Sequence, residues 1–319
     1  MSKPISASIE PTPEKLRTPA QRYLMATRPA FLTIALVGCL LGFASAVTGA
    51  APFDFVAALL TLLLAILAQA GVNVLNDYYD HLNGTDELNS DRLFPFTGGS
   101  RFIQNGVFTP RQTLAYGLLL FAVVIAGGLW LIATSGIGLF WIGLAGLFIG
   151  WAYSAPPFKL NSRGLGEISV MAGFLLIVIG ADYVQRGGFA LLPWIAGLPY
   201  ALLTTNILYI NQFPDRRADA AAGKHHWVVR LPPSQAARGY VLILLLALAA
   251  LIATVALGHL PPLALLSALG MLPAVKAAGL LRRYAEQPAL LGAPIQMTIA
   301  AAHIHAALLA VLLFLGSTL

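Results

Sequence analysis

Charge is scarce in this chain. Asp, Glu, Lys and Arg together make up 10% of its 319 residues, against about 25% in a soluble globular domain. That shortage excludes an ordinary soluble fold, because too few charged groups exist to cover its surface. Cysteine is almost absent. The single Cys39 lies in an apolar run, so no intrachain disulfide can form, and it reads as a small buried hydrophobe. Residues 1–25 are not expected to be a secretory leader: they are polar and rich in Pro and Glu, with no short apolar core before the first long hydrophobic segment. They are expected to form a mobile cytoplasmic tail, followed by one membrane-embedded domain over residues 26–319.

What the chain has instead is apolar sequence, 58% of the total. A spanning helix needs about 20 mostly apolar residues. Segments of that kind run over Thr27–Val47, Phe55–Asn76, Gln112–Ala133, Ile137–Tyr153, Leu165–Tyr183, Leu191–Gln212, Gly239–Gly258, Leu263–Leu281 and Ala293–Leu315. Pro and Gly punctuate the gaps, as at Pro110, Gly136, Pro156, Pro157, Pro232, Pro233, Pro261 and Pro262. The expected fold is all-α, a multi-pass membrane bundle of about nine transmembrane helices.

The net charge of +6 does not call for nucleic acid. With the N-terminus inside, every Lys and Arg except Arg186 falls on the cytoplasmic side. The positive-inside rule accounts for such a bias and supports both the span count and the orientation. The bacterial inner membrane is the expected location, with the long loops 77–111 and 213–238 cytoplasmic. Long ordered loops are usually functional.

The acids cluster at those loops. Asn73, Asp77 and Asp80 are spaced i, i+4, i+7 at the end of the second segment, and Asp86 follows beyond Gly84. Asn211, Asp215 and Asp219 are spaced i, i+4, i+8 at the end of the sixth. Where the helices continue, each set shares one face. The Asn-x₃-Asp pattern therefore occurs twice, at corresponding places in the two halves, with the site expected between them. Carboxylates beside apolar helix are costly, so a solvating role is a poor account of Asp77, Asp80, Asp215 and Asp219; for Glu87 and Asp91 it is adequate. Paired Asp and Asn oxygens suit Mg²⁺, which keeps waters and shares substrate phosphate oxygens. Arg101, Lys159, Arg163 and Lys224 are the candidates for the remaining phosphate charge. A diphosphate bridged by metal is the expected ligand.

These motifs resemble those of the UbiA superfamily of intramembrane aromatic prenyltransferases. The Asn-Asp-x₂-Asp motif with a further Asp is similar to Asn76, Asp77, Asp80 and Asp86, and the Asp-x₃-Asp motif to Asp215 and Asp219. Gly98-Gly-Ser-Arg101, Tyr153-Ser-Ala-Pro-Pro-Phe-Lys159 and Arg163-Gly-Leu-Gly-Glu167 resemble the 1,4-dihydroxy-2-naphthoate prenyltransferase branch. The resemblance implies a central cavity capped by the two cytoplasmic loops. It implies Mg²⁺ as cofactor, with Asp77, Asp80, Asp86, Asp215 and Asp219 as ligands, and a prenyl diphosphate donor. Asn73, Asn76, Arg101, Tyr153, Lys159, Arg163, Asn211 and Lys224 are expected at the substrate. The acceptor is an aromatic small molecule, 1,4-dihydroxy-2-naphthoate in that branch, with 4-hydroxybenzoate, homogentisate, a chlorin or haem as alternatives.

Tyr78, Tyr79, Tyr153 and Trp151 are candidates for stabilising an allylic cation through their ring faces. Thr205, Asn206 and Gln296 are candidates for the cavity wall, and Arg163 and Glu167 for a structural pair. His303 and His305 point to different sides of one helix, so they cannot chelate one metal together. Two other classes remain open. A transporter also uses repeated halves, but would carry ionisable groups near mid-span. A non-catalytic scaffold would not be expected to retain both acidic motifs.

Overall fold

The computed structural model describes residues 10–49 and 51–318, and every regular element among them is helical. In chain order these are α1 (Pro19–Ala26), α2 (Pro29–Thr48), α3 (Phe55–Leu82), the single turn α4 (Thr85–Leu88), α5 (Pro110–Ser135), α6 (Gly138–Ser154), α7 (Gly166–Arg186), α8 (Leu192–Ala221), the turn α9 (Trp227–Arg230), α10 (Pro233–Ala256), α11 (Leu272–Tyr284) and α12 (Gly292–Thr318). A 3₁₀ segment, Pro262–Met271, runs directly into α11.

Each apolar segment expected to cross the membrane is helical. Among the described residues, seven helical stretches are both long and apolar enough to do so: α2, α3, α5, α7, α10, Pro262–Tyr284 and α12. The short α6 and the more polar α8 fall outside that measure. Pro193, Pro199, Thr204, Thr205 and Asn206 dilute the hydropathy of α8, yet those residues are buried. Their donors find partners inside the bundle: Thr204 and Thr205 donate back to the carbonyls of Tyr200 and Ala201 of the same helix, and the Asn206 amide donates to the Tyr240 carbonyl of α10. α8 is polar because other helices, not lipid, surround it.

Local chemistry sets the helix starts. Thr18 with Gln21 and Thr109 with Gln112 form capping boxes before α1 and α5, each with Pro in the first turn. Asp54 caps α3 by accepting from the amides of Val56 and Ala57. Two helices run past their expected ends, and this matters for the site. α3 continues from Asn76 to Leu82, and α8 from Gln212 to Ala221. Each carries its acidic motif on helical backbone, beyond its apolar stretch.

Close helix contact depends on small residues. A methyl group at Gly42 of α2 would strike the Val178 carbonyl and the Ala181 side chain of α7. Gly42→Val is therefore expected to separate α2 from α7, lowering the melting temperature in detergent by several degrees. An unchanged melting temperature would show that α2 shifts freely.

At the end of the bundle away from the acidic motifs, Asp182 is buried and paired with Arg186 at 2.7 Å. Arg186 also donates to the Ser45 carbonyl, which joins α2 to α7. The N-terminal region departs from a mobile tail. Residues 1–9, with Lys3, lie outside the described residues. From Glu10 onward the chain packs on the loop between α4 and α5, where Tyr23 meets Phe108 and Tyr116.

Candidate functional site

The extended ends of α3 and α8 converge at one mouth of a cavity of about 320 Å³. Lys224, in the turn after α8, joins them. Its ammonium lies 2.9 Å from Asp80 Oδ1 and 3.0 Å from Asp219 Oδ1, and all three residues are buried. Burial pulls the Lys224 ammonium pKa down, but the two carboxylates outweigh it and hold it above its ordinary value.

Each acid has further fixed partners. Asp80 accepts from Asn76 at 3.1 Å and Asn83 at 3.2 Å. Asp219 meets His226 Nε2 at 3.0 Å. Asp215 accepts from the Asn89 amide and, at 3.4 Å, from the Gly98 backbone N–H. Asp77 is turned toward the Gly98–Ser100 turn, where both its oxygens accept from the Ser100 N–H at 3.2 Å. Asp86 lines the cavity from α4 and is almost wholly buried. Burial, with repulsion from Asp80 and Asp77, pushes its carboxyl pKa well above the usual range.

The mouth is thus polar, whereas the deeper wall is apolar and aromatic, with Phe31, Phe96, Phe174, Ile149, Ile177 and Ile207 among its residues. Tyr153, Asn73, Asn76 and Asn211 face the cavity from α6, α3 and α8. Of the four aromatic residues expected near a cation, Tyr153 alone is in the wall. Tyr78 and Tyr79 pack on each other with ring centroids 5.2 Å apart, and Trp151 packs on Phe148 and Phe158.

Three of the basic residues expected at phosphate lie elsewhere. Arg101 is drawn to the Asp86 carbonyl and toward Glu10. Arg163 is exposed and donates to the Pro157 carbonyl. Lys159 is exposed, on backbone with φ of 45°. None of the three is in the cavity wall. Arg28 is there instead. It precedes α2 with φ of 59°, donates to the Phe96 carbonyl and lies over the Phe31 ring.

Other expectations are also revised. Glu167 pairs with Gln212 at 3.1 Å rather than with Arg163. Gln296 is exposed, and Thr205 and Asn206 turn to backbone carbonyls, so none of these three lines the cavity. His305 is buried against the Ser267 carbonyl, while His303 contacts Thr33. Asn89, His226 and Gln212 join Arg28 as wall residues that the sequence pattern did not single out. For Asn89 a signal existed, since it lies one helical turn beyond Asp86.

Among the described residues no group of three or more His, Cys, Asp or Glu side chains is assembled tightly enough to hold a metal on its own. The donor chemistry nevertheless fits a hard cation that also takes oxygens from a ligand. Asp80, Asp86, Asp215 and Asp219 ring the mouth. The buried oxygens Asp86 Oδ2, Asn89 Oδ1 and Asn211 Oδ1 have no hydrogen-bond donor, which a native protein rarely tolerates without a ligand.

Comparison with known proteins agrees with this construction. The chain is 30% identical to the 1,4-dihydroxy-2-naphthoate octaprenyltransferase of Escherichia coli (strain K12), over 70% of this chain and 73% of that protein. It is 30% identical to the 2-carboxy-1,4-naphthoquinone phytyltransferase of Synechocystis sp., over 72% of this chain and 70% of that protein. Some other curated relatives are matched over only 61% and 57% of their length. The fold is similar to that of a UbiA homolog from Archaeoglobus fulgidus bound to GPP and Mg²⁺. There the TM-score is 0.65 at 17% identity, covering 93% of this chain and 100% of that one. The model of the UbiA prenyltransferase family matches residues 35–291, a stretch that includes both acidic motifs and most of the cavity wall, with Arg28, Phe31 and Ile34 just before it; the protein is an integral membrane prenyltransferase belonging to that family.

Proposed function

We propose that this protein transfers a prenyl group from a prenyl diphosphate to 1,4-dihydroxy-2-naphthoate, in a Mg²⁺-dependent step of quinone biosynthesis. The observation that carries the reading is the joining of two acidic helix ends through Lys224 at the mouth of an otherwise apolar cavity. The naphthoate acceptor is favoured by the relatives at 30% identity.

In this reading Asp80, Asp86, Asp215 and Asp219 hold Mg²⁺, with Asn76 and Asn211 beside them. Bound there, Mg²⁺ supplies charge neutralisation that makes diphosphate a better leaving group. Arg28 and Lys224 are the cationic side chains of the wall, and they orient the same diphosphate. The prenyl chain lies along Phe31, Ile149, Phe174 and Ile177. Each buried CH₂ contributes roughly 0.8 kcal/mol. As the C–O bond to diphosphate breaks, an allylic cation develops. The apolar wall withholds water from it, and the ring faces of Tyr153 and Phe96 stabilise it. The electron-rich ring then forms the new C–C bond, and loss of a proton or carboxyl group restores aromaticity. The mouth faces the cytoplasm, where both substrates' polar ends are accessible.

The test is product formation by purified protein with radiolabelled geranyl diphosphate and a panel of acceptors, in Mg²⁺ and in EDTA. Product is expected with 1,4-dihydroxy-2-naphthoate and Mg²⁺ only. Asp86→Asn and Asp215→Asn are each expected to cut turnover by about 100-fold or more, the size of losing a preorganised electrostatic contact. Product with 4-hydroxybenzoate or homogentisate instead would reassign the acceptor. Metal-independent turnover would remove Mg²⁺ from the reading.

A further inference from the structure

The Glu10 carboxylate is nearly inaccessible, although it lies close to the start of the chain. Its Oε1 receives Arg92 through Nη2 at 2.6 Å and Nε at 2.7 Å. Its Oε2 receives Asn105 at 3.3 Å and lies 3.9 Å from Arg101 Nε. Asn105 also donates to the Pro11 carbonyl at 2.9 Å, and Lys15 folds back onto the Glu10 carbonyl at 2.9 Å.

The two arginines do not end at Glu10. Arg92 Nη1 donates to the Asn89 carbonyl, and the Asn89 side chain donates to Asp215. Arg101 Nη1 donates to the Asp86 carbonyl, and the Asp86 side chain lines the cavity. One buried carboxylate therefore sits behind both acidic motifs. One arm reaches α8 through Arg92 and Asn89, the other reaches α4 through Arg101. The same segment is pinned further along by Leu16 and by Ala26 at the end of α1, which pack with Phe102, Val107 and Phe108.

We propose that Glu10 is a positioning residue for prenyl transfer, and that residues 10–26 form a strap setting the α4–α5 loop so that Asp86 and Asn89 face the cavity together. Two guanidinium groups side by side, Arg101 buried and Arg92 half-buried, repel each other, and without an anion between them each would turn to water. Their backbone acceptors on Asp86 and Asn89 would then be released. Glu10 acts through Arg92 and Arg101 and touches no substrate. The activity arm of the test rests on the function proposed above; the proteolysis arm does not.

Glu10→Gln keeps the shape and removes the charge. Limited trypsin digestion of the full chain in detergent is expected to cut after Arg92 and Arg101 in the variant and to spare both in wild type, where they are held. kcat/KM for geranyl diphosphate is expected to fall about tenfold, with most of the loss in kcat. Arg92→Met is expected to lose kcat/KM alike and to open cleavage after Arg101, position 92 no longer being a trypsin site, and the double variant to lose no more activity than the worse single one, because the residues act in one chain of contacts. Wild-type protection and wild-type kcat/KM in Glu10→Gln would overturn the proposal. So would digestion throughout the chain, which would reduce Glu10 to general support of the fold. If no diphosphate substrate is turned over by wild type, the function reading fails, while selective cleavage at Arg92 and Arg101 still decides the strap.

Discussion

Lys224→Met is expected to abolish prenyl transfer, by about 1000-fold or more on the scale of lost electrostatic preorganisation, and to make the folded protein dependent on Mg²⁺. The ammonium lies between Asp80 and Asp219, at 2.9 and 3.0 Å. Removing one member of a buried ionic group costs about 3 kcal/mol or more, because the remaining charges stay desolvated. In Lys224→Met the carboxylates of Asp80 and Asp219 would face each other, left with their hydrogen bonds from Asn76 and Asn83 and the contact with His226. A divalent cation then binds the folded state but not the unfolded one, and so restores stability by mass action. The measurement is the melting temperature in detergent with and without Mg²⁺. The variant should melt below wild type in EDTA and recover more than wild type does on adding Mg²⁺. Lys224→Arg should not rescue activity, since a planar fork cannot replace a compact point charge between two acids. A variant that melts like wild type in EDTA would mean that Asp80 and Asp219 carry no mutual repulsion, and the account of Lys224 would fall.

The parts of this site that were legible in sequence are those fixed by helical spacing. Asn73, Asp77 and Asp80, and likewise Asn211, Asp215 and Asp219, share faces because α3 and α8 continue beyond their apolar stretches. The spacing carried that information whether or not the apolar signal did. Partner choice is another matter, because it depends on contacts far apart in the chain. Arg101 looks like a phosphate ligand beside a glycine-rich turn, but Glu10, distant in sequence, claims that loop. Arg28 reads as one more basic residue at a membrane border. It enters the cavity because its backbone adopts φ of 59° ahead of Pro29, a conformation that no residue pattern announces. Glu167 was matched with the nearest opposite charge, Arg163, whereas the bundle offers it Gln212 from α8. The apolar run 191–212 announces α8, but not where the polar groups inside it turn. Thr204 and Thr205 donate back into α8 and the Asn206 amide reaches the Tyr240 carbonyl of α10, partners that a composition average cannot see.

Gly99→Ala is expected to lose activity by about 100-fold, comparable to removal of one preorganised contact, while the protein keeps its helical content and its elution volume. Gly99 has φ of 71°, a conformation costing a residue with Cβ about 1 kcal/mol. Strain alone is therefore a small effect. Crowding is the larger one: a Cβ there would stand 2.8 Å from Asp86 Oδ2 and 3.0 Å from Asp77 Oδ1. One methyl group would press on acids from both α3 and α4 and tilt the neighbouring Ser100 N–H away from Asp77. Gly106 separates the two effects. It has φ of 69° in the same loop, and nothing lies within 4 Å of its would-be Cβ. Gly106→Ala should therefore keep turnover within about threefold of wild type, as strain near 1 kcal/mol allows. Gly99→Ala should in addition need more Mg²⁺ for half-maximal rate, since Asp86 is displaced. Equal losses in the two variants would attribute the effect to backbone strain and would separate the Gly98–Ser100 turn from the chemistry of the acids. A loss confined to Gly99→Ala would make that turn the floor on which Asp77 and Asp86 are set, and would explain why a residue without a side chain stands between them.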